Sequence, residues 1–274
     1  MNISDLSTHG FVTLSYPLSL RMAVDKSMES WRQFCSMSDE EKKIFSDGDR
    51  LKDFGYMRRA DRVGKADDKE IFEVVERDLK EITRRAEKVQ QAWQFISQII
   101  LLLKHAKPRV LEFAKQVENH YEIPGFAETV EKSSDHWTFR YIHYMPSSHP
   151  MLAHPHADRG GFTLHLQESH YGGEYLGLDH VWRPWPVSME ETIIFPSMVL
   201  QHRSEGRLNA LWHRVVTTET TKVVGRYSMV AFIDFPHSHR WNDAKYRIQD
   251  LQPGFNYGLR PEEFPESDMF VSTG

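Results

Sequence analysis

Cysteine is nearly absent from this chain, which carries Cys35 alone among 274 residues. A lone thiol excludes an intrachain disulfide framework and makes a reducing cytoplasm the simpler expectation. Long apolar runs are missing as well. The stretch ISQIILLL contains Gln98 and stops at Lys104, well short of the roughly 20 residues that cross a bilayer. The first residues, MNISDLSTHG, have no signal-peptide pattern, so a soluble protein is expected. Positive charge is not in excess either. A formal net charge of −5 gives nucleic acid no broad basic surface to bind, and Arg58 and Arg59 read as solvated surface. No internal repeat or low-complexity linker divides the chain. Its length and 40% hydrophobic content suffice for one large core, so a single catalytic domain is expected.

A sparse constellation stands out in the second half: His156 and Asp158 in HADRGG, His213 in WHRVV, then Arg226 and Ser228 in GRYSMVAF. Two imidazoles and a carboxylate can occupy one face of an octahedral iron, leaving positions open for a chelating cosubstrate and dioxygen. They also suit zinc. With 15 histidines in the chain, one H-x-D triplet means little without context. Context comes from Gly160 and Gly161 followed by FTLHLQ, a strand leaving a turn. His213, Val215 and Thr217 share one side of a second predicted strand. Arg226, Ser228 and Val230 share one side of a third. A guanidinium fork beside a hydroxyl is matched to a carboxylate.

From Trp137 to Phe235 the chain runs in short β-branched and aromatic segments broken by Gly, Pro and Ser, as in a barrel or double sheet. Helix is expected to dominate before that. Ser38 and Glu41 form a capping-box pattern. Ala86, Val89, Trp93, Ile96, Ile100 and Leu103 recur at helical spacing, a stripe expected to pack on the sheet. Pro108 is expected to interrupt this helix or open a new one.

The segment from Arg140 to Phe235 resembles the isopenicillin N synthase-like branch of the iron(II)- and 2-oxoglutarate-dependent dioxygenases. HADRGGFTLHLQES is similar to the first-ligand block, GGEYL to the strand after it, LQHRSEGRLNALWHRVV to the second-histidine block and GRYSMVAF to the cosubstrate anchor. HGFVTLSY, WRQFCSMSDEEKKIF, FGYMRR and DDKEIFEV extend the resemblance over nearly the whole chain. It implies a mainly β fold with flanking α: a double-stranded β-helix, or jelly roll, with N-terminal helices packed on one side. The implied layout is one non-haem iron oxygenase domain over 1–274: a helix-rich part to about 135, the jelly roll over about 136–236 and a tail over 237–274. The resemblance assigns His156, Asp158 and His213 to iron(II), and Arg226, Ser228 and Tyr144 to 2-oxoglutarate. Dioxygen is the third participant, succinate and carbon dioxide are the co-products, and oxidation, most commonly hydroxylation, of a small molecule is the outcome. Two other readings remain: a same-fold iron oxidase that binds its own substrate's carboxylate with Arg226 and Ser228, and a non-catalytic binding module.

The chain departs from the family pattern at Ile142, Met145, Ser197, Met198 and Arg159. Arg159 beside the carboxylate ligand raises the idea of an anionic substrate, against the plainer reading of a rim ion pair. His154, His165, His202, His237 and His239 read as structural or surface groups, and Trp182 and Trp185 as hairpin packing rather than a pocket wall. The tail beyond His237 reads either as a lid or as packing against outer helices.

Overall fold

A computed structural model describes residues 1–46, 55–59 and 68–235. The expectations placed on the tail, on His237 and His239, and on the side chain of His202 lie outside what is described. Helices α1 (Asp5–His9), α2 (Leu18–Cys35), α3 (Asp39–Lys43), α4 (Leu79–Ala86) and α5 (Gln90–His120) fill most of the first half. Three strands lie among them: β1 (Val12–Ser15), β2 (Gly55–Arg59) and β3 (Lys69–Val75). The rest runs through β4 (Thr138–Tyr144), β5 (Met151–His156), β6 (Phe162–Glu168), β7 (Gly173–Leu176), β8 (Trp182–Pro184), β9 (Glu191–Pro196), β10 (His213–Val216) and β11 (Arg226–Ile233).

The strands form two antiparallel sheets. A major sheet has the order β1-β9-β6-β11-β4-β3-β2, and a minor one the order β5-β10-β7-β8. From β4 onward the chain steps from major to minor sheet and back repeatedly, which wraps it into a double-stranded β-helix. The N-terminal strands were not foreseen as sheet members. They extend the major sheet on both edges: β1 pairs with β9, and β3 pairs with β4.

The outer face of the major sheet is covered by α2 and α5, which pack on each other. Trp31, Phe34, Phe72, Phe95 and Tyr141 interlock there, with ring centroids 5.0 Å apart for Phe34–Phe95 and for Phe95–Tyr141. The first pair is tilted and the second edge-to-face, and aromatic pairs of this kind add about 0.5–1.5 kcal/mol each beyond area burial. The Tyr141 hydroxyl is satisfied by Ser27 Oγ at 2.7 Å, so the ring is buried without an orphaned polar atom.

The long helix corrects two expectations. Its buried residues are Ala92, Phe95, Ile96, Ile99, Leu102, Leu103, Ala106 and onward to Val117, whereas Trp93 and Ile100 are each 43% exposed. The reason is a break: α4 ends at Ala86, and Val89 is extended as the N-cap of α5. A stripe counted through from Ala86 therefore falls out of phase. Pro108 does not interrupt the helix, which runs unbroken past it. Its ring lies on the exposed side, where water can satisfy the carbonyl that loses its amide partner.

One ionic network sits on this outer face. The capping box at Ser38 and Glu41 starts α3 as expected, and α3 delivers Lys42 to Glu70 on β3 at 2.6 Å. Glu70 also accepts from Tyr56 Oη (2.7 Å) and meets His143 Nδ1 (3.1 Å). Burial pushes the Glu70 carboxyl up, but hydrogen bonds from His143, Lys42 and Tyr56 outweigh it and hold the group at about 2.

Candidate metal centre

The site forms where the minor sheet closes over the inner face of the major one. Strand β5 ends on His156, and β10 begins on His213, its direct cross-strand partner. Asp158 follows two residues later in the turn before β6. Imidazole and carboxylate donor atoms of these three residues lie within 4.8 Å of one another. The Nε2 atoms of His156 and His213 are 3.8 and 3.7 Å from Asp158 Oδ1. Donors each about 2.1 Å from one ion stand roughly 3–3.5 Å apart, so a small side-chain adjustment suffices for all three to share a metal.

What aims these atoms is equally specific. His156 Nδ1 meets the carbonyl of His154 at 2.7 Å, and His213 Nδ1 meets that of Leu211 at 3.1 Å. A carbonyl can only accept, so each Nδ1 carries the proton and each Nε2 turns a lone pair inward. Thr163 donates to Asp158 Oδ2 at 2.6 Å and also meets Ser197 Oγ at 3.2 Å, leaving Oδ1 for the centre. The donor set therefore fits a divalent ion. His156 is held down to about 4, chiefly by burial and then by His213. Its ring edge keeps 47% of its side-chain surface, yet protein surrounds it at longer range. The neutral imidazole that a metal requires is thus favoured at neutral pH.

Arg226 and Ser228 lie on β11, both buried on the inner face. Tyr144 stands directly across from Arg226 on β4, its ring 5.8 Å from the guanidinium carbon. The six predicted site residues thus share the barrel interior. One feature was not foreseen: Arg226 Nη2 is paired with Glu168, and Nε donates to the carbonyl of His170 at 3.2 Å. Burial raises the Glu168 carboxyl, but Arg226 and then His165 overcome it and hold it at about 2. Glu168 faces inward because of a register shift between Met229 and Val230, which sets Gln167 opposite Met229 and Glu168 opposite Ser228.

Other histidine and aromatic readings sort clearly. His154 is exposed, whereas His165 is buried with Nε2 3.6 Å from Glu168, a structural group adjoining the anchor. Trp182 stacks under Arg214 at 4.3 Å, as hairpin packing. Trp185 instead walls the site, edge-on to His213 at 5.5 Å and 4.9 Å from His165. Thr163 and Glu168 were missed, and Trp185 was read as hairpin packing rather than the pocket wall it forms. Thr163 was discoverable, since it shares the period-two face of His165. Arg58 pairs with Asp68 across the β2–β3 edge, and Arg159 is half-buried beside Asp158.

Known proteins give the same outline. No curated protein matches the sequence closely enough to count as a relative. Among solved structures, a full-length Neurospora crassa protein in complex with alpha-KG superposes with a TM-score of 0.72 at 18% identity, over 86% of this chain and 78% of that one. The Arabidopsis thaliana dioxygenase for auxin oxidation 1, bound to 2-oxoglutarate, gives 0.68 at 15% identity over 95% and 93%. The rice dioxygenase for auxin oxidation gives 0.65 at 17% over 84% and 75%. Identities this low establish the shared fold. The sequence model of the 2OG-Fe(II) oxygenase superfamily matches residues 134–235, the stretch that contains both sheets' core strands and all six predicted site residues. This stretch thus matches the 2OG-Fe(II) oxygenase superfamily, whose cofactor and cosubstrates are Fe(II), 2-oxoglutarate and dioxygen.

Proposed function

We propose that the chain is an Fe(II)- and 2-oxoglutarate-dependent dioxygenase of the isopenicillin N synthase-like branch. It oxidises a small molecule, by hydroxylation, within one domain in a reducing compartment. The balance is one C–H bond, one dioxygen and one 2-oxoglutarate converted to one C–OH bond, one succinate and one carbon dioxide. The observation that carries the reading is the convergence of three lone-pair donors, His156 Nε2, His213 Nε2 and Asp158 Oδ1, beside a buried guanidinium and hydroxyl on β11.

When bound, iron and 2-oxoglutarate supply the activation of dioxygen. The chain's own residues do the rest. His156, His213 and Asp158 hold the ion, with Thr163 fixing the carboxylate's rotation. Arg226, Ser228 and Tyr144 receive the cosubstrate's distal carboxylate. Trp185 and Phe195, in contact with each other, both pack edge-on against the His213 ring, which restrains its rotation and excludes water. Barrel walls then position one substrate C–H bond.

Anaerobic titration with Fe(II) and 2-oxoglutarate should develop the visible charge-transfer band of a chelated ferrous ion. Admission of oxygen should then yield succinate. Absence of both from the wild-type protein would sink the reading. The same buried pair on β11 suits a second reading, a same-fold iron oxidase that binds its own substrate's carboxylate with Arg226 and Ser228 and never consumes 2-oxoglutarate. Oxygen uptake with substrate but without succinate would select that enzyme instead.

A further inference from the structure

The inner face carries a second charged pair that the proposed metal chemistry does not use. Strands β3 and β4 place Glu73 opposite Arg140, and β11 places Val230 on the other side of Arg140. Paired residues of antiparallel strands share a face, so Arg140 lies in line with Ser228 and Arg226, on the side away from the proposed cosubstrate anchor. That this face is interior follows from the neighbouring pair, Ile142 and Tyr144, which pack against Leu152 and Val215 of the minor sheet. The pair therefore shares the inner face with Ser228 and Arg226, the face that the minor sheet carrying His156 and His213 covers.

The contact between the two is one-pronged. Arg140 Nε donates to Glu73 Oε1, whereas a guanidinium and carboxylate left to themselves commonly meet through two parallel bonds. The guanidinium is stacked on the ring of Phe232, 4.6 Å from its centroid, which holds its plane still. Among the described residues no acceptor meets either Nη of Arg140 and no donor meets Glu73 Oε2. The side chains retain 36% and 18% of their surface. The pair thus presents two guanidinium NH₂ groups and one carboxylate oxygen, side by side.

Charge decides what such an edge accepts. A substrate carboxylate would be drawn to Arg140 but repelled by Glu73. An ammonium would meet the opposite conflict. A neutral group with a carbonyl next to an N–H satisfies both sides without adding charge. We propose that Arg140 and Glu73 select a substrate bearing a neutral amide-type edge, a lactam or cyclic imide, with Arg140 Nη donating to its carbonyl and Glu73 Oε2 accepting from its N–H. This rests on the dioxygenase reading and names the substrate class of that site.

The test uses full-length protein loaded anaerobically with Fe(II) and 2-oxoglutarate, and calorimetric affinities for small probes. Uracil and δ-valerolactam should bind about tenfold or more tightly than their N-methylated forms and than benzoate or pentanoate, because blocking the N–H strands a buried acceptor. Glu73→Gln should erase the penalty for N-methylation and improve benzoate binding, leaving 2-oxoglutarate affinity unchanged. Arg140→Lys, which keeps the charge but loses the fork, should weaken every carbonyl probe by about tenfold. Equal binding of N–H and N-methyl probes, preference for carboxylates, or binding of 2-oxoglutarate with no probe bound at all would overturn the proposal. The probe series on wild-type protein decides the matter even if a variant fails to fold. Failure to load iron and 2-oxoglutarate would instead strike at the dioxygenase reading itself.

Discussion

Two groups of three metal-capable side chains lie on opposite sides of the major sheet, and they could hardly be more different in use. On its outer side Cys35, Glu70 and His143 offer donor atoms that, like those of His156, Asp158 and His213 between the two sheets, lie within 4.8 Å of one another. Outside, the positive charge is already built in. Lys42 reaches Glu70 at 2.6 Å and also donates to the carbonyl of Cys35 at 3.2 Å, so the cluster is a closed, neutralised strut between α3 and the sheet. Inside, the groups that approach Asp158 Oδ1 are the two imidazoles, turned so that lone pairs meet. Residue types alone do not make a metal centre. What separates the two is whether the fold supplies its own cation.

Breaking each cluster should therefore produce opposite phenotypes. His156→Ala should abolish Fe(II) retention and succinate formation while leaving the urea midpoint nearly unchanged, since this side chain is 47% exposed. Glu70→Ala should do the reverse: Fe(II) titration unchanged, but a loss of about 3 kcal/mol in urea denaturation, because buried Lys42 loses its closest carboxylate and keeps only Asp39 at 3.4 Å and the Cys35 carbonyl. Loss of iron binding in Glu70→Ala protein that remains folded would blur the distinction. A milder cut falls on Thr163. Thr163→Val keeps the shape but frees Asp158 to rotate, and iron affinity should fall by about tenfold to a hundredfold in competition with a chelator.

The smallest effect is one of pH. Glu70 titrates at about 2 in the folded chain against an ordinary value of 4.5. As the pH falls, the unfolded chain takes up its proton first. The stabilisation is thus complete above about pH 4.5 and drains away as the pH drops towards 2. Glu70→Gln should flatten the acid limb of the stability curve, and urea midpoints at about pH 3 and pH 6 would show it.

Much of the inner face was legible because it is local. HADRGG, WHRVV and GRYSMVAF carry their geometry in two-residue alternation, which sets His213 opposite His156 and buries Arg226 and Ser228 together. Glu168 escaped for an instructive reason. Counting by twos from Thr163 through His165 brings Gln167 inward, but the bulge consumes Leu166 and turns Gln167 outward to Asp25 at 2.9 Å. Whether a strand bulges depends on its neighbour, which the strand's own residues do not encode. The same holds for β1, whose partner β9 lies some 180 residues downstream. Trp185 was read as hairpin packing since nothing in VWRPWP reveals that a histidine from another strand will rest against it. The phase error in α5 had a nearer cause, a helix boundary without a Gly or Pro to announce it.

The two acceptors that fix the imidazoles are peptide carbonyls, those of residues 154 and 211. No side-chain replacement at either position can delete them. The aim of each ring is therefore sheltered from most point mutations in its immediate support, and relatives can drift at these two positions without retuning the donor atoms. Thr163 has no such shelter, so tolerance to substitution should divide sharply between the imidazoles' supports and the carboxylate's.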